Sequence, residues 1–375
     1  MFQLASGCPK WRDGTAMWYH YFTQPLPHAV AWYVHRLPMA AHKATTLATF
    51  VSELALPLLL VSRGVWATRV VYAGFVGLMG VIMATGNFGF FNLLTVALCQ
   101  ILLADMGIWD AVPPGDASGL HVAWTVVGVV AAGLLLGLDV VALRPFSRCF
   151  RKYNPLDLTA AALEQRRWFP TVVRWLRACP ESRIWTLIAR AHVLLQPLRV
   201  CGAYGLFARM TTVRRELVIE YRSSDDGPGV WRQAAFHWKP GAEAAAGLDT
   251  SGLRFAWGHM PRFDWRLWFL PLSPLVTLGV RHGTPLRSAA PEWYDRALRA
   301  LLDDDPAARS LLARPPAWSS DPDASRYIRT ALYDYTFEPA AGVPCWRARR
   351  LRLYGRAFCR LPTSHKIIEV PGELR

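Results

Sequence analysis

The sequence is poor in charged residues and lacks the strong motifs of the common enzyme classes. Asp, Glu, Lys and Arg make up 18% of the 375 residues, below the roughly 25% of soluble domains. It has no G-x-S-x-G nucleophile elbow, no H-E-x-x-H zinc motif, no Walker A loop and no G-x-G-x-x-G dinucleotide loop. We therefore expect no cofactor and no metal site, and the sequence points away from an enzyme.

The seven cysteines include no C-x-x-C pair, so the usual redox and zinc-binding spacing is missing. Cys99 lies inside an apolar run, where a free thiol behaves as a small hydrophobic residue. Cys345 and Cys359 are available for a disulfide if their domain faces an oxidising compartment. The sequence leaves that pairing open.

Apolar and basic residues are abundant instead. Hydrophobic residues make up 53% of the chain, and 42 Lys and Arg against 27 Asp and Glu give a net charge of +15. A basic balance is also typical of nucleic-acid-binding proteins. Here, however, the basic residues cluster beside apolar runs, as the positive-inside rule predicts for membrane proteins. The composition therefore favours membrane lipid as a partner and no nucleic acid.

Four apolar runs are long enough for membrane helices: 45–62, 65–85, 88–104 and 122–143. A helix needs about 20 residues to cross the hydrocarbon of a bilayer. A fifth run, 184–200, carries polar residues and is the weakest candidate. The sequence predicts a membrane α-helical bundle of four or five helices, with 44–143 holding the first four and 184–203 the fifth.

The charge of the loops predicts the orientation of the chain. Residues 105–120 contain three Asp and no Lys or Arg, whereas residues 144–183 contain nine basic residues against three acidic ones. Basic loops stay in the cytoplasm. We therefore predict a cytoplasmic loop at 144–183, and the domain after residue 204 on the non-cytoplasmic side if the fifth run crosses.

Three polar side chains lie within or beside the apolar runs. Glu53 lies near the centre of the first run, and a carboxylate in hydrocarbon is costly and often functional. It is either a functional group or a hydrogen-bonded residue that fixes helix packing. Asn87 and Asn92 flank an aromatic stretch, and they either line a cavity or, as we favour, form hydrogen bonds between helices.

Residues 1–43 are rich in aromatic side chains and are broken by proline. Rings of Trp and Tyr suit a membrane–water interface, so the sequence predicts an interfacial aromatic segment. His28, His35 and His42 are spaced by seven residues. Interfacial histidines explain that spacing better than a metal site does, because Pro38 interrupts the helix that would align them.

The C-terminal half changes to short alternating runs, which predict a β-rich α+β domain over 204–360. Strands are predicted at 216–222, 231–238, 333–337 and 346–353, and an amphipathic helix at 292–313. The tail 361–375 is polar, and we expect it to be poorly ordered.

One group of charged residues forms the candidate site: Arg214, Glu216, Arg262 and Asp264, with Trp265 beside them. Two arginine–carboxylate pairs and an indole are able to form a bidentate network. The network either holds a client chain or closes the domain as a structural ion-pair cluster, and we favour the second. Asp264 lies in an apolar stretch, and we expect Arg214 or Arg262 to be its partner.

Several motifs, in order and at their spacing, resemble those of the lipase maturation factor family. They are residues 204–207, residues 210–212 with Arg214 and Glu216, residues 238–241 and residues 261–269, and residues 2–27 are also similar. The resemblance covers about 2–355. In the family further membrane helices precede residues 2–27, so this chain looks N-terminally short.

The resemblance implies a polytopic membrane protein that assists the folding or assembly of secreted lipases, with the C-terminal domain in the endoplasmic reticulum lumen. If the source is a bacterium, we expect the inner membrane in place of the endoplasmic reticulum membrane, and a secreted client other than a lipase. Two alternatives from other classes remain. One is a membrane-embedded enzyme that uses Glu53 and histidines on a lipid-like or quinone-like substrate, and the other is a structural membrane scaffold.

Overall fold

The computed structural model describes residues 8–62, 64–105, 207, 209–226, 230–241, 248–256, 260, 262–273, 276, 280, 286, 289–338, 342–362, 364 and 366–370. The chain divides into two compact units. The first contains Met1–Ala16, Lys43–Leu78 and Thr95–Met210. The second contains Met17–His42, Met79–Leu94 and Thr211–Arg375. The second unit therefore combines the C-terminal sequence with two segments from the N-terminal third.

The described N-terminal third is helical. It contains α1 (Pro9–Arg12), α2 (Ala16–Thr23), α3 (Ala29–His35), α4 (Met39–Ser62), α5 (Val65–Thr85), α6 (Phe91–Cys99) and α7 (Ile101–Asp105). Helices α4 and α5 are long and apolar enough to cross a membrane, and almost none of their residues is buried by the chain. Side chains such as those of α4 and α5 therefore need lipid or further helices around them.

Two of the predicted membrane runs thus appear as membrane-length helices, and the run 65–85 has the observed bounds of α5. The run 88–104 forms a shorter apolar helical stretch, Phe91–Leu103. The runs 122–143 and 184–200, and the basic loop 144–183, lie outside the described residues. The total of four or five spans stays a prediction.

Helix α4 contains a π-helical turn at Val51–Ala55, and Glu53 is at its centre. The N–H of Leu56 donates to the carbonyl of Val51, five residues back. Pro57 explains the change, because proline has no N–H for the carbonyl of Glu53 and its ring clashes with that carbonyl. The helix therefore widens at the only acidic residue of the span.

The second unit is built on a six-stranded antiparallel sheet. Its strands are β1 (Arg214–Ser223), β2 (Arg232–Gln233), β3 (Leu248–Asp249), β4 (Arg326–Phe337), β5 (Trp346–Arg360) and β6 (Ile367–Val370). The order is β2-β1-β4-β5-β3, and β6 also pairs with β5. The long strands β1, β4 and β5 form the centre, and the predicted strands 216–222, 333–337 and 346–353 lie within them.

The inner face of the sheet carries the larger core. Leu217, Ile219 and Tyr221 alternate along β1 and pack with Tyr294 and Leu298 of α9 (Glu292–Leu302). Helix α8 (Arg262–Phe269) adds Phe263 and Leu267 to the same cluster. Alternate residues of a strand point to opposite faces, so Arg214, Glu216, Val218, Glu220 and Arg222 lie on the outer face.

The outer face is covered at one end by the aromatic segment near the N-terminus. Side chains of 17–35 pack on Val218 of β1, on β4 and on Trp346 of β5, and they include the fully buried Tyr21, Phe22, Ala31 and Trp32. Trp32 donates its indole N–H to the carbonyl of Glu338 at 3.2 Å. The segment 17–35 thus contributes core residues to the C-terminal unit, and interfacial placement of 1–43 stays a prediction.

Three details of the C-terminal half differ from the expectations. The helix at 292–313 is interrupted after Leu302 by an Asp run that includes Asp304 at φ 59°, and α10 (Pro306–Ser310) follows. Asp305 caps α10 by accepting the N–H of Ala308 at 2.8 Å. Within 231–238 only Arg232 and Gln233 form a strand, and the tail is not wholly irregular, since it contains β6.

The two cysteines considered for a disulfide, Cys345 and Cys359, are both buried. Cys359 lies within β5, and Cys345 directly precedes the same strand. Fourteen residues of extended strand span about 46 Å, whereas a disulfide needs Cα atoms within about 7 Å of each other. The strand therefore keeps the two thiols apart.

Candidate functional site

Arg214 is the first residue of β1, and its side chain is completely buried. Its guanidinium donates to the carbonyls of Phe22 at 3.0 Å and Pro25 at 2.9 Å, and also to that of Gln24. It also lies 4.8 Å from the centre of the Trp346 ring. Arginine suits this position because its planar fork binds several acceptors at once. The side chain thus ties the turn 22–25 to the sheet.

Glu216 lies two residues further along the same face of β1 and pairs with two buried cations. Its carboxylate is 2.5 Å from Arg214 Nη2 and 3.1 Å from Lys239 Nζ. The three side chains have exposed fractions of at most 1%. A buried charge is costly unless it is paired, and every charge of this triad lies in an ion pair.

Lys239 is held by the backbone as well as by Glu216. Its ammonium donates to the carbonyl of Leu217 at 2.8 Å and to that of Pro240 at 3.1 Å, and it lies 3.9 Å from the centre of the Phe236 ring. Gly252, at φ +72°, passes close by, and a Cβ there would lie 2.3 Å from the Lys239 carbonyl carbon. The loop therefore requires glycine at 252.

Asp264 lies in the first turn of α8 and is buried, but its partner is not an arginine. Its Oδ2 accepts the backbone N–H of Trp238 at 2.7 Å. Burial raises the pKa of the Asp264 carboxyl above its usual value, while the Trp238 N–H and the Lys239 ammonium act in the opposite direction. The expected pairing with Arg214 or Arg262 is wrong, because Arg214 is occupied by Glu216 and by main-chain carbonyls.

The turn 22–25 is held by further side chains of the second unit. Trp268 donates its indole N–H to the carbonyl of Thr23 at 2.9 Å, so all four carbonyls of the turn accept from buried side chains of Arg214 or Trp268. Gln24 donates its amide to the carbonyl of Thr85 at 2.9 Å. The amide of Asn87 bonds to an extended segment: its Nδ2 donates to the Arg254 carbonyl at 2.7 Å, and its Oδ1 accepts from Ala256 at 2.8 Å.

The other predicted site residues lie outside the triad. Arg262 is exposed on α8. The ring of Trp265 is half-buried and contacts that of Phe88, with centres 5.7 Å apart. Asn92 is buried, and Glu53 lies in the π-helical turn of α4. The interhelical bonds favoured for Asn87 are wrong, since its partners lie in 254–256.

The spaced histidines hold backbone groups. His28 caps α3 through Val30 N–H, and its other ring nitrogen is 3.1 Å from the Met83 carbonyl. His35 Nδ1 is 3.1 Å from the Trp18 carbonyl, and His42 Nε2 is 3.0 Å from that of Leu37. Burial lowers the pKa of His35 to about 4. These contacts with backbone groups indicate structural roles for the three histidines.

The outer face continues beyond the covered end as an open patch of arginines and aromatic rings. Glu220 accepts from Arg329 at 2.7 Å, from Arg350 at 3.1 Å and from the Tyr333 hydroxyl at 3.3 Å. Arg350 is 46% exposed, so water reaches this cluster.

Sequence reasoning missed four members of these clusters: Lys239, Trp268, Arg329 and Arg350. Arg329 faces Glu220 across the β1–β4 register, so the alternation of the strands was a usable signal for it. For Lys239 only its place in the motif 238–241 was visible, because nothing local shows which carboxylate a loop lysine reaches.

Comparison with known proteins gives two consecutive matches. Residues 1–109 match the lipase maturation factor transmembrane domain, and residues 200–354 match the lipase maturation factor C-terminal domain. The transmembrane match and the helices α4 and α5 together make the chain an integral membrane protein with a C-terminal antiparallel-sheet domain. No solved structure matches the chain.

Similar curated proteins carry the same family name. The chain is 28% identical to lipase maturation factor 2 of Homo sapiens, with 92% of this chain and 55% of that protein aligned. It is 27% identical to lipase maturation factor 1 of Bos taurus, with 92% of this chain and 56% of that protein aligned. The chain thus spans about half the length of the curated relatives it matches. From the two family models and these relatives, the chain belongs to the lipase maturation factor family.

Proposed function

We propose that this protein is a membrane-embedded maturation factor that assists the folding or assembly of a secreted protein, a lipase by family. The observation that carries the proposal is the order of the two family matches, a transmembrane domain followed by a C-terminal domain, over 1–109 and 200–354. The relatives' names support the lipase as client. The role is chaperone-like: the C-terminal unit binds the client while the helices keep it at the membrane.

The buried triad supports a binding role for the C-terminal unit over a catalytic one. Arg214, Glu216 and Lys239 are held by ion pairs with one another, and the two cations also donate to backbone carbonyls. A catalytic acid or base must reach a substrate proton within hydrogen-bond distance, and this triad has no exposed polar atom to offer. The network makes the C-terminal unit rigid, and the outer surface of that unit is then the part that binds a partner.

The proposed location is the endoplasmic reticulum membrane, or the inner membrane if the source is a bacterium, with the C-terminal unit on the non-cytoplasmic side. The charge difference between loops 105–120 and 144–183 supports this orientation. Reporter fusions after residue 143 and after residue 222 should give opposite signals. Equal signals would mean that the run 184–200 does not cross.

A complementation experiment tests the function. The full chain is expressed with a secreted lipase in cells whose own maturation factor has been deleted, and lipase activity is measured per unit of secreted lipase mass. We expect the chain to raise that specific activity, while a co-expressed secreted protein of another class stays unchanged. An unchanged specific activity of the lipase would contradict the proposal.

A further inference from the structure

The open end of the outer sheet face carries a guanidinium held between two aromatic rings. Arg222 lies 5.1 Å from the centre of the Trp231 ring and 4.9 Å from that of the Tyr327 ring. Arg329 lies 3.7 Å from the same Trp231 ring. We call the group of Arg222, Trp231, Tyr327 and Arg329 the arginine shelf. A guanidinium close to an aromatic ring is attracted by the π electrons of the ring, which helps to hold these arginine side chains on the face of the sheet.

The two arginines of the shelf differ in their partners. Arg329 pairs with Glu220 at 2.7 Å. Arg222 makes no ion pair with the part of the chain that the structure describes, and its Nε is buried without a hydrogen-bond partner there. On this end of the face Glu220 is opposed by three guanidiniums, those of Arg222, Arg329 and Arg350. These four side chains therefore carry an excess of two positive charges. Arg222 is the cation whose terminal guanidinium N–H groups are available to bind a ligand.

We propose that the arginine shelf binds an acidic, extended segment of a client polypeptide, with one carboxylate of that segment bound to the guanidinium of Arg222. This inference rests on the proposed function, because it assigns the shelf to a client chain. A carboxylate matches a planar guanidinium through two parallel hydrogen bonds. The rings of Trp231 and Tyr327 supply apolar surface for the residues on either side of that carboxylate.

The geometry favours a peptide over an anionic membrane surface. Cations that bind a lipid surface project on long, mobile side chains. Here the side chain of Arg329 is 12% exposed, and its guanidinium lies 3.7 Å from the centre of the Trp231 ring. The side chain of Arg222 is half-buried beside the rings of Trp231 and Tyr327. A planar headgroup layer cannot reach side chains that lie in the face of a sheet, whereas an extended peptide can lie along it.

The test uses the purified full chain in phosphatidylcholine nanodiscs and two fluorescent nonapeptides of alternating Ser, Glu and Phe. The second peptide carries Gln in place of every Glu. We expect the acidic peptide to bind at least tenfold more tightly than its amide twin. Arg222→Gln should weaken the acidic peptide about tenfold, because a charge-assisted bidentate pair is lost. Arg222→Lys keeps the charge but loses the fork, and should weaken it about threefold.

Arg296→Gln is the matched control, since Arg296 is 71% exposed on α9 and pairs with Glu292. It removes the same charge and should leave binding unchanged. Protease protection of the C-terminal unit shows that each variant is folded. If Arg222→Gln loses protection, Arg222→Lys decides the result through its weaker binding of the acidic peptide.

Two results would overturn the proposal. One is equal binding of the two peptides, or acidic-peptide binding that no folded Arg222 variant weakens. The other is Arg222-dependent binding of short-chain phosphatidylserine in place of the peptide, which would make the shelf a lipid site. The complementation experiment tests the proposed function independently of the shelf. If the chain does not raise lipase activity, the proposed lipase client is wrong. The peptide measurement still decides whether the shelf binds acidic segments.

Discussion

Glu216 and Glu220 lie on the same face of the same strand, about 13 Å apart, and each pairs with two cations. The cations of Glu216 are at most 1% exposed, whereas those of Glu220 are 12% and 46% exposed. The aromatic segment 17–35 covers the first carboxylate and not the second. The comparison teaches that one sheet face serves as core at one end and as a surface at the other, and that the covering segment makes the difference.

The largest effect should come from Glu216→Gln. The change leaves Arg214 and Lys239 buried without a counter-charge, which costs about 3–5 kcal/mol in free energy of unfolding. Thermal unfolding and protease protection of the C-terminal unit in detergent measure the loss. Glu292→Gln is the control, since Glu292 is 84% exposed and should change stability by less than about 0.5 kcal/mol.

A double variant separates the stranded charge from simple loss of packing. Glu216→Gln together with Lys239→Met should cost less than the sum of the two single changes, because fewer unpaired charges remain. Strict additivity of the two changes would mean that the triad is not electrostatically coupled, and that the covered end differs from the open end only in packing.

Trp32→Ala tests whether the covering segment is core. Trp32 is completely buried, and removing such a ring should cost about 3 kcal/mol. The neighbouring Tyr33 is 53% exposed, so Tyr33→Ala should cost less than about 1 kcal/mol. Unfolding of the C-terminal unit is the measurement. Equal effects of the two changes on stability would contradict a core role of the segment 17–35 and would favour a purely interfacial one.

Glu220→Gln should cost less than Glu216→Gln, about 1–2 kcal/mol, because water solvates Arg350 once its partner is neutral. The same unfolding measurement compares the two. A loss as large as that of Glu216→Gln would show that the open end is as dry as the covered end, and would count against its use as a binding surface.

The sequence predicted the elements whose signal is local. β-Branched residues indicated β1 and alternation indicated β4, and glycines on either side of Val65–Thr85 marked both ends of α5. Arg214 and Glu216, both chosen as candidate site residues, form an ion pair. The role of 17–35 was not predictable in the same way, because a buried core and a membrane interface both select Trp and Tyr.

Long-range backbone contacts account for the remaining errors. Charge matching suggested an arginine for Asp264, but its partner is the N–H of Trp238, 26 residues away. Every residue except proline carries a backbone N–H donor, so the sequence holds no signal for which one a carboxylate reaches. The same holds for the carbonyls of 22–25, which accept from side chains some 190–245 positions along the chain.

The smallest effect should come from the titration of a single histidine, His20, in the covering segment. Burial lowers the pKa of His20, on α2, to about 4, against about 6.5 in the unfolded chain. Between these values the unfolded chain binds more protons, so the stability is complete above pH 6.5 and falls as the pH drops towards 4. At pH 5.5 the loss from this histidine is about 1 kcal/mol.

The variant His20→Phe keeps a ring in place and removes the titration. Melting temperatures of the C-terminal unit at pH 7.5 and 5.5 should therefore differ less in this variant than in the wild type. Asp264 does not mimic the effect, because its raised pKa makes acid stabilise the fold. An equal shift in both proteins would show that the acid sensitivity arises from groups other than His20.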